Sequence, residues 1–196
     1  MKVRSKNGFT PLHFAVYHCR PSEVVSLIEH GSDVHATTDD RQTPLYMAVC
    51  NVRTNLYSKS KRAVQTMLVL LDKGADVNAC DDDNGHYCMT TPLHAAVIGA
   101  HHPDVCAVIM EAITTLILYG AHINIKNMYG NTALHEAILS GHTELMTHLL
   151  ACGVDMSITN FHGQTATQLA AHRIFSQGIY ILSRAASDPA RLKRRD

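Results

Sequence analysis

One heptapeptide recurs along the chain. Thr10-Pro11-Leu12-His13-Phe14-Ala15-Val16 returns as Thr43-Pro44-Leu45-Tyr46-Met47-Ala48-Val49 and as Thr91-Pro92-Leu93-His94-Ala95-Ala96-Val97. Looser copies stand at Thr132-Ala133-Leu134-His135-Glu136-Ala137-Ile138 and Thr165-Ala166-Thr167-Gln168-Leu169-Ala170-Ala171. Thr10 and Thr43 are 33 residues apart, and so are Thr132 and Thr165. Self-similarity at such a period means stacked supersecondary units, none of which can bury its apolar face alone. The residue types say what the unit is. A Thr side chain can accept a bond from an orphan N–H at a helix start, and Pro just after it gives up a donor the first turn cannot use. Each motif therefore opens a helix whose Leu and Ala make a small apolar face. A second apolar run at helical spacing follows, with Val24, Val25, Leu27 and Ile28 in the first copy and Leu145, Met146, Leu149 and Leu150 in the fourth. Gly31, Gly74, Gly120 and Gly153 follow these runs, where a helix ends in a left-handed residue. Gly130 and Gly163 suit tight turns before the next motif.

On these residues the chain resembles the ankyrin-repeat family, whose period is about 33 and whose motif is T-P-L-H-x-A. The resemblance implies an all-α repeat solenoid of about five units, each a helix-turn-helix plus a hairpin, with repeats starting near residues 7, 40, 85, 129 and 162. It implies one ankyrin-repeat domain over 1–186, followed by a basic tail over 187–196 holding Arg191, Lys193, Arg194 and Arg195. It also gives the motif histidines His13, His94 and His135 a scaffold role, the imidazole bonding backbone of a neighbouring hairpin.

The second and third copies are irregular. From motif Thr to helix-ending Gly the first and fourth copies take 21 residues, but the second takes 31 and the third 29. The link from Gly74 to Thr91 is 17 residues where 12 is usual. The second copy's extra segment holds Arg53, Lys59, Lys61 and Arg62 with no acid, and reads as a basic loop or an extension of the second helix. The third copy's run from Pro103 and Asp104 to Tyr119 reads as a second helix two turns longer than usual. The enlarged hairpin carries Asp76, Asp81, Asp82 and Asp83.

Composition narrows the chemistry. With 17 basic and 17 acidic side chains the net charge is zero, which gives no argument for nucleic acid or an anionic membrane as partner. The longest apolar run, 105–119, has Glu111 at its middle and falls short of a membrane span. No apolar signal-peptide stretch follows the first residues, so the expected setting is a reducing cytosol or nucleus, with all six cysteines as thiols. Cys80, His86 and Cys88, or His101, His102 and Cys106, lack the fourth ligand and the spacing of a zinc site, and no metal or cofactor is expected. Walker-type glycine loops, H-E-x-x-H and paired catalytic carboxylates are absent, and the cysteines beside helices (Cys19, Cys106, Cys152) read as small hydrophobes. The expectation is a non-enzyme.

Protein binding is then the function the resemblance implies. By the family's pattern the freely varying hairpin tips are Asn7, Phe9, Arg41, Gln42, Tyr87, Met89, Met128, Tyr129, Asn131, Phe161, His162 and Gln164, and Tyr87, Met89, Met128, Tyr129 and Phe161 form an apolar subset typical of contacts. Arg53, Lys59, Lys61 and Arg62 are expected to add an electrostatic contact. Asn78 and Asn124 occupy the hairpin position that asparaginyl hydroxylases modify in ankyrin proteins, each eight residues after a Leu, Leu70 and Leu116. Stand-alone arrays of this size look like inhibitors of transcription-factor signalling, and like the ankyrin proteins with which large DNA viruses and intracellular bacteria redirect host pathways. The expected activity is blocking, masking or tethering a partner. The alternative is an adaptor recruiting a ubiquitin ligase, although the tail is shorter than the box modules such adaptors carry.

Overall fold

A computed structural model describes residues 4–52, 57–82, 88–98 and 106–187. The chain divides into two compact units, Met1–Ala121 and His122–Asp196.

The first unit holds three helix pairs. Helices α1 (Pro11–Tyr17), α3 (Pro44–Val52) and α5 (Pro92–Ile98) begin at the three motif prolines; α2 (Pro21–Glu29), α4 (Tyr57–Asp72) and α6 (Cys106–Leu118) return beside them. α1 packs on α3 and α3 on α5, while α2 packs on α4 and α4 on α6. The motif Leu and Ala make the first layer, with Leu12, Ala15, Leu45, Ala48, Leu93 and Ala96 all buried. The second layer buries Val24, Val64, Met67, Leu70, Ile109, Ile113 and Leu116. In the second unit α7 (Ala133–Leu139) and α9 (Ala166–His172) pair in the same way, and α8 (Thr143–Ala151) packs against α10 (Ser176–Ser187).

Local chemistry sets the helix ends as the motif predicts. Thr10, Thr132 and Thr165 sit in extended backbone as N-caps, each in a capping box with the residue three places on: His13, His135 or Gln168. Gly31, Gly74, Gly120 and Gly153 all have φ between 85° and 90°.

The irregular copies resolve into definite elements. The basic insertion extends a helix: α4 has 16 residues where α2 and α8 have nine. α6 has 13 described residues, about one turn more than α2, and its expected start at Pro103 and Asp104 lies outside the described residues. The enlarged hairpin pairs β1 (Asp81–Asp82) with β2 (Cys88–Thr90) in an antiparallel ladder, with Asp81 opposite Thr90 and an irregularity after it; Asp83 and His86 are outside the described residues.

The expectation of six thiols is overturned here. Cys80 is disulfide-bonded, whereas Cys19, Cys50, Cys106 and Cys152 are free. Cys80 directly precedes β1, and linear spacing alone does not say which thiols a fold brings within bonding distance. Burial raises the thiol pKa of Cys19 and Cys152, in keeping with their packing as apolar groups.

Candidate protein-binding surface

Side chains of α1, α3 and α7 reach across to the next hairpin. In α1 the Nδ1 of His13 accepts the backbone N–H of Thr10 at 3.2 Å, so the ring proton sits on Nε2, which donates to the carbonyl of Gln42 at 3.2 Å. His135 repeats this with Thr132 at 3.2 Å and the Gln164 carbonyl at 3.1 Å. Both rings are neutral donors of one bond, and burial lowers the pKa of each, the hydrogen-bonded carbonyl opposing that shift. His94 bonds Thr91 Oγ1 at 2.9 Å. In the second repeat Tyr46 stands in place of histidine, and its hydroxyl lies 3.3 Å from Thr90 Oγ1. Thr90 precedes its motif Thr as Gln42 does, so a longer side chain spans the longer hairpin.

Successive tips are also joined through backbone. Asp39 N–H donates to Asn7 O at 3.2 Å and Phe161 N–H to Tyr129 O at 3.1 Å. The second contact explains Gly130: its φ is +73°, and a Cβ there would come within 2.5 Å of Phe161 N. The corresponding position in the second repeat is Arg41, which adopts the same left-handed conformation at φ 60°.

The predicted tip residues fall into distinct groups. Tyr129 and Phe161 are 59% and 62% exposed on consecutive, directly bonded tips, and His162 is exposed beside them. Asn7 and Arg41 are exposed, whereas Gln42, Met128 and Gln164 are half-buried. Phe9 leans on the rings of His13 and Phe14, with centroids 5.7 and 5.6 Å away. Asn131 is buried: its amide donates to Glu136 Oε1 at 2.9 Å beside Asn127, which donates to the same oxygen at 2.7 Å. It is therefore a strut of the tip and no part of its exposed face. Tyr87 and Arg53 lie outside the described residues, as do the side chain of Met89 and the tail after Ser187.

Asn78 and Asn124 tie hairpins together. Asn78 Nδ2 donates to Gly120 O at 3.2 Å, and Asn124 Oδ1 accepts from Asp155 N–H at 2.9 Å.

The basic insertion occupies the first turns of α4. Lys61 and Arg62 are exposed, and Lys59 Nζ lies 5.6 Å from the centroid of the Tyr17 ring. Cations at this end of a helix oppose its dipole, and α4 has no acid in its first turn to compensate. Tyr17, 53% exposed, was not among the sequence-predicted contacts, because an aromatic ending a motif helix reads as core. An open groove of about 550 Å³ runs between α1 and α2, lined by Phe14, His18, Glu23 and Leu27 among others. Among the described residues no group of three His, Cys, Asp or Glu could hold a metal ion, and no helix is long and apolar enough to cross a membrane.

Known proteins share this architecture. The family model described as ankyrin repeats in three copies matches residues 1–81, 56–160 and 107–184. The chain belongs to the ankyrin-repeat family. It is 26% identical over 140 residues to human transient receptor potential cation channel subfamily A member 1, covering 71% of this chain and 11% of that one. It is 30% identical over 129 residues to mouse ankyrin repeat and SOCS box protein 11, covering 66% of this chain and 32% of that one. A putative ankyrin repeat protein of Acanthamoeba polyphaga mimivirus is 30% identical over 142 residues, covering 72% of this chain and 16% of its own length. The chain thus spans under a third of each of these relatives.

Proposed function

We propose that the chain acts by binding a partner protein, and that occupying that partner (blocking, masking or tethering it) is its whole activity, with no catalysis. The observation that carries this is the pair Tyr129 and Phe161, large aromatics exposed on tips that backbone bonds, capping boxes and the His135 tie hold before any partner arrives. Pre-ordered contact residues lower the entropic cost of association. The proposed setting is the cytosol or nucleus and the proposed partner a signalling protein, a host one if the chain comes from a virus or bacterium. Asn78 and Asn124 enter the same proposal as hydroxylation sites, tested by peptide mass spectrometry for one added oxygen on each.

The test starts from affinity purification of the full chain and identification of what it retains. Tyr129→Ala with Phe161→Ala should then weaken the recovered partner by about 2 kcal/mol or more, roughly thirtyfold, with thermal stability nearly unchanged. Unaltered affinity would remove the tips from the interface.

A second reading, an adaptor for a ubiquitin ligase, is favoured by the likeness to the mouse protein named for a SOCS box. Deleting residues 187–196 separates the two. A blocking protein keeps its effect on the partner, whereas an adaptor that recruits through this end loses it.

A further inference from the structure

The net charge of zero hides a segregation. Residues 1–22 contain Lys2, Lys6, Arg4 and Arg20 and no acid, and residues 41–71 contain Arg41, Arg53, Lys59, Lys61 and Arg62 and no acid. These two stretches hold more than half of the chain's 17 Lys and Arg. The fold brings them together, since α1 packs on α3 and α2 on α4. Asn51 Nδ2 donates to Val16 O at 3.0 Å and pins α3 against the end of α1. There the exposed Tyr17 ring has His18 edge-on at 5.3 Å and Lys59 at 5.6 Å. Burial raises the pKa of the Cys19 thiol at the end of α1, and the charges of Lys59 and Arg62 on the facing α4 oppose that rise. Neither is used by the ion pairs among the described residues, Arg20–Glu23 at 2.9 Å and Lys73–Glu29 at 3.5 Å. Lys59 and Arg62, three apart on one helix face, repel each other in the free chain.

We propose that Tyr17, His18, Lys59 and Arg62 form a docking site for an acidic segment of a partner protein, separate from the hairpin tips. α1 starts at the tip with Thr10 and ends at Tyr17, so the site lies at the far end of the inner helix. Carboxylates of the segment meet Lys59 and Arg62, and the open face of Tyr17 takes an apolar side chain or methylene stem beside them. A nucleic acid fits less well. Its repeating phosphates engage a longer run of cations, whereas here Glu23, Glu29 and Asp33 follow closely in α2 and the turn after it. The proposal rests on the protein-binding reading and gives it a partner chemistry.

The test uses the full chain and fluorescein-labelled decaglutamate, followed by anisotropy at low salt and at about 0.15 M, where surface charges are screened beyond roughly 8 Å. Lys59→Glu with Arg62→Glu should weaken binding about tenfold or more, and Tyr17→Ala about threefold, with melting temperatures kept by circular dichroism as the check on folding. Lys59→Gln with Arg62→Gln, which adds no repulsion, should still cost about fivefold. The same charge reversal at Lys126 and Arg173, both exposed in the second unit, should change binding less than about twofold. An equal loss from that control pair would overturn the site, as would tighter binding of single-stranded oligothymidine or phosphatidylserine vesicles than of decaglutamate. Should a purified partner be kept by Lys59→Glu with Arg62→Glu and lost by the Tyr129 and Phe161 variants, the site falls and the binding function stands. Should decaglutamate discriminate as described while no protein partner is ever recovered, the site stands and the functional reading falls.

Discussion

Replacing Glu136 should unfasten the tip that presents Tyr129. Glu136 Oε1 accepts two buried amides, Asn127 at 2.7 Å and Asn131 at 2.9 Å. Asn127 in turn shapes the turn, its Oδ1 accepting the N–H of Tyr129 and of Asn131, both at 3.0 Å. Hydrogen bonds to a charged group contribute roughly 1.5–3 kcal/mol each, and Glu136→Ala removes the oxygen that both amides share, so the variant should lose about 3–5 kcal/mol. Glu136→Gln keeps an amide oxygen that can accept both bonds and forfeits only the charge, a loss of about 1–2 kcal/mol. Urea unfolding of both variants, followed by far-ultraviolet circular dichroism and extrapolated linearly, measures the gap. An Ala variant within about 1 kcal/mol of the parent, or a Gln variant as unstable as the Ala one, would refute the idea that a shared acceptor holds this turn.

Ile174 is β-branched, 85% exposed and left-handed at φ 55°. Ile174→Gly should stabilise the chain by about 0.5–1 kcal/mol, relieved strain outweighing added chain entropy, and a lower melting temperature would contradict this. Gly130→Ala meets both a left-handed backbone and Phe161 N, and should cost at least about 2 kcal/mol in the same urea assay. The histidine ties make stability depend on pH. His13 and His135 have lowered pKa values in the folded chain against 6.5 as the ordinary value, so below pH 6.5 the unfolded chain binds more protons. Their contribution is fully present above pH 6.5 and is lost as pH falls through the folded values. His13→Gln with His135→Gln should flatten that slope while keeping the caps, because Gln168 already accepts Thr165 N–H at 2.8 Å in the fifth repeat.

Helix starts were legible because Thr and Pro each act within one turn, and helix ends because only a few residues tolerate positive φ. What depends on partners distant in sequence was not. Lys, Arg and Ser in the second-copy insertion suit a loop or a helix. The outcome rests on Ala63, Val64, Met67 and Leu70 carrying one apolar face onward through α4. By its position Asn131 reads as a variable tip residue, yet it is buried and bonded to Glu136 in the next helix. The polar spacing of Asn127, Asn131 and Glu136 was the available sign. Tyr17 was missed for the opposite reason: apolar character announces burial unless its neighbours are known, and here the first turns of α4 reach its ring with a lysine and leave half of it open. The Cys80 disulfide was not legible because linear spacing does not say which thiols the fold brings together.

Amide hydrogen exchange on the full chain, free and then saturated with its purified partner, tests most directly whether the surface is built before binding. The tip amides of Gly130, Phe161 and Gly163 already donate to Asn127, Tyr129 and Asn160 at 2.8, 3.1 and 3.0 Å. They should be protected in the free chain, and the partner should add protection only at exposed contact segments, with the buried inner helices unchanged. Tip amides that exchange at unstructured rates until the partner is added, with protection then spreading through the helices, would contradict a preformed surface.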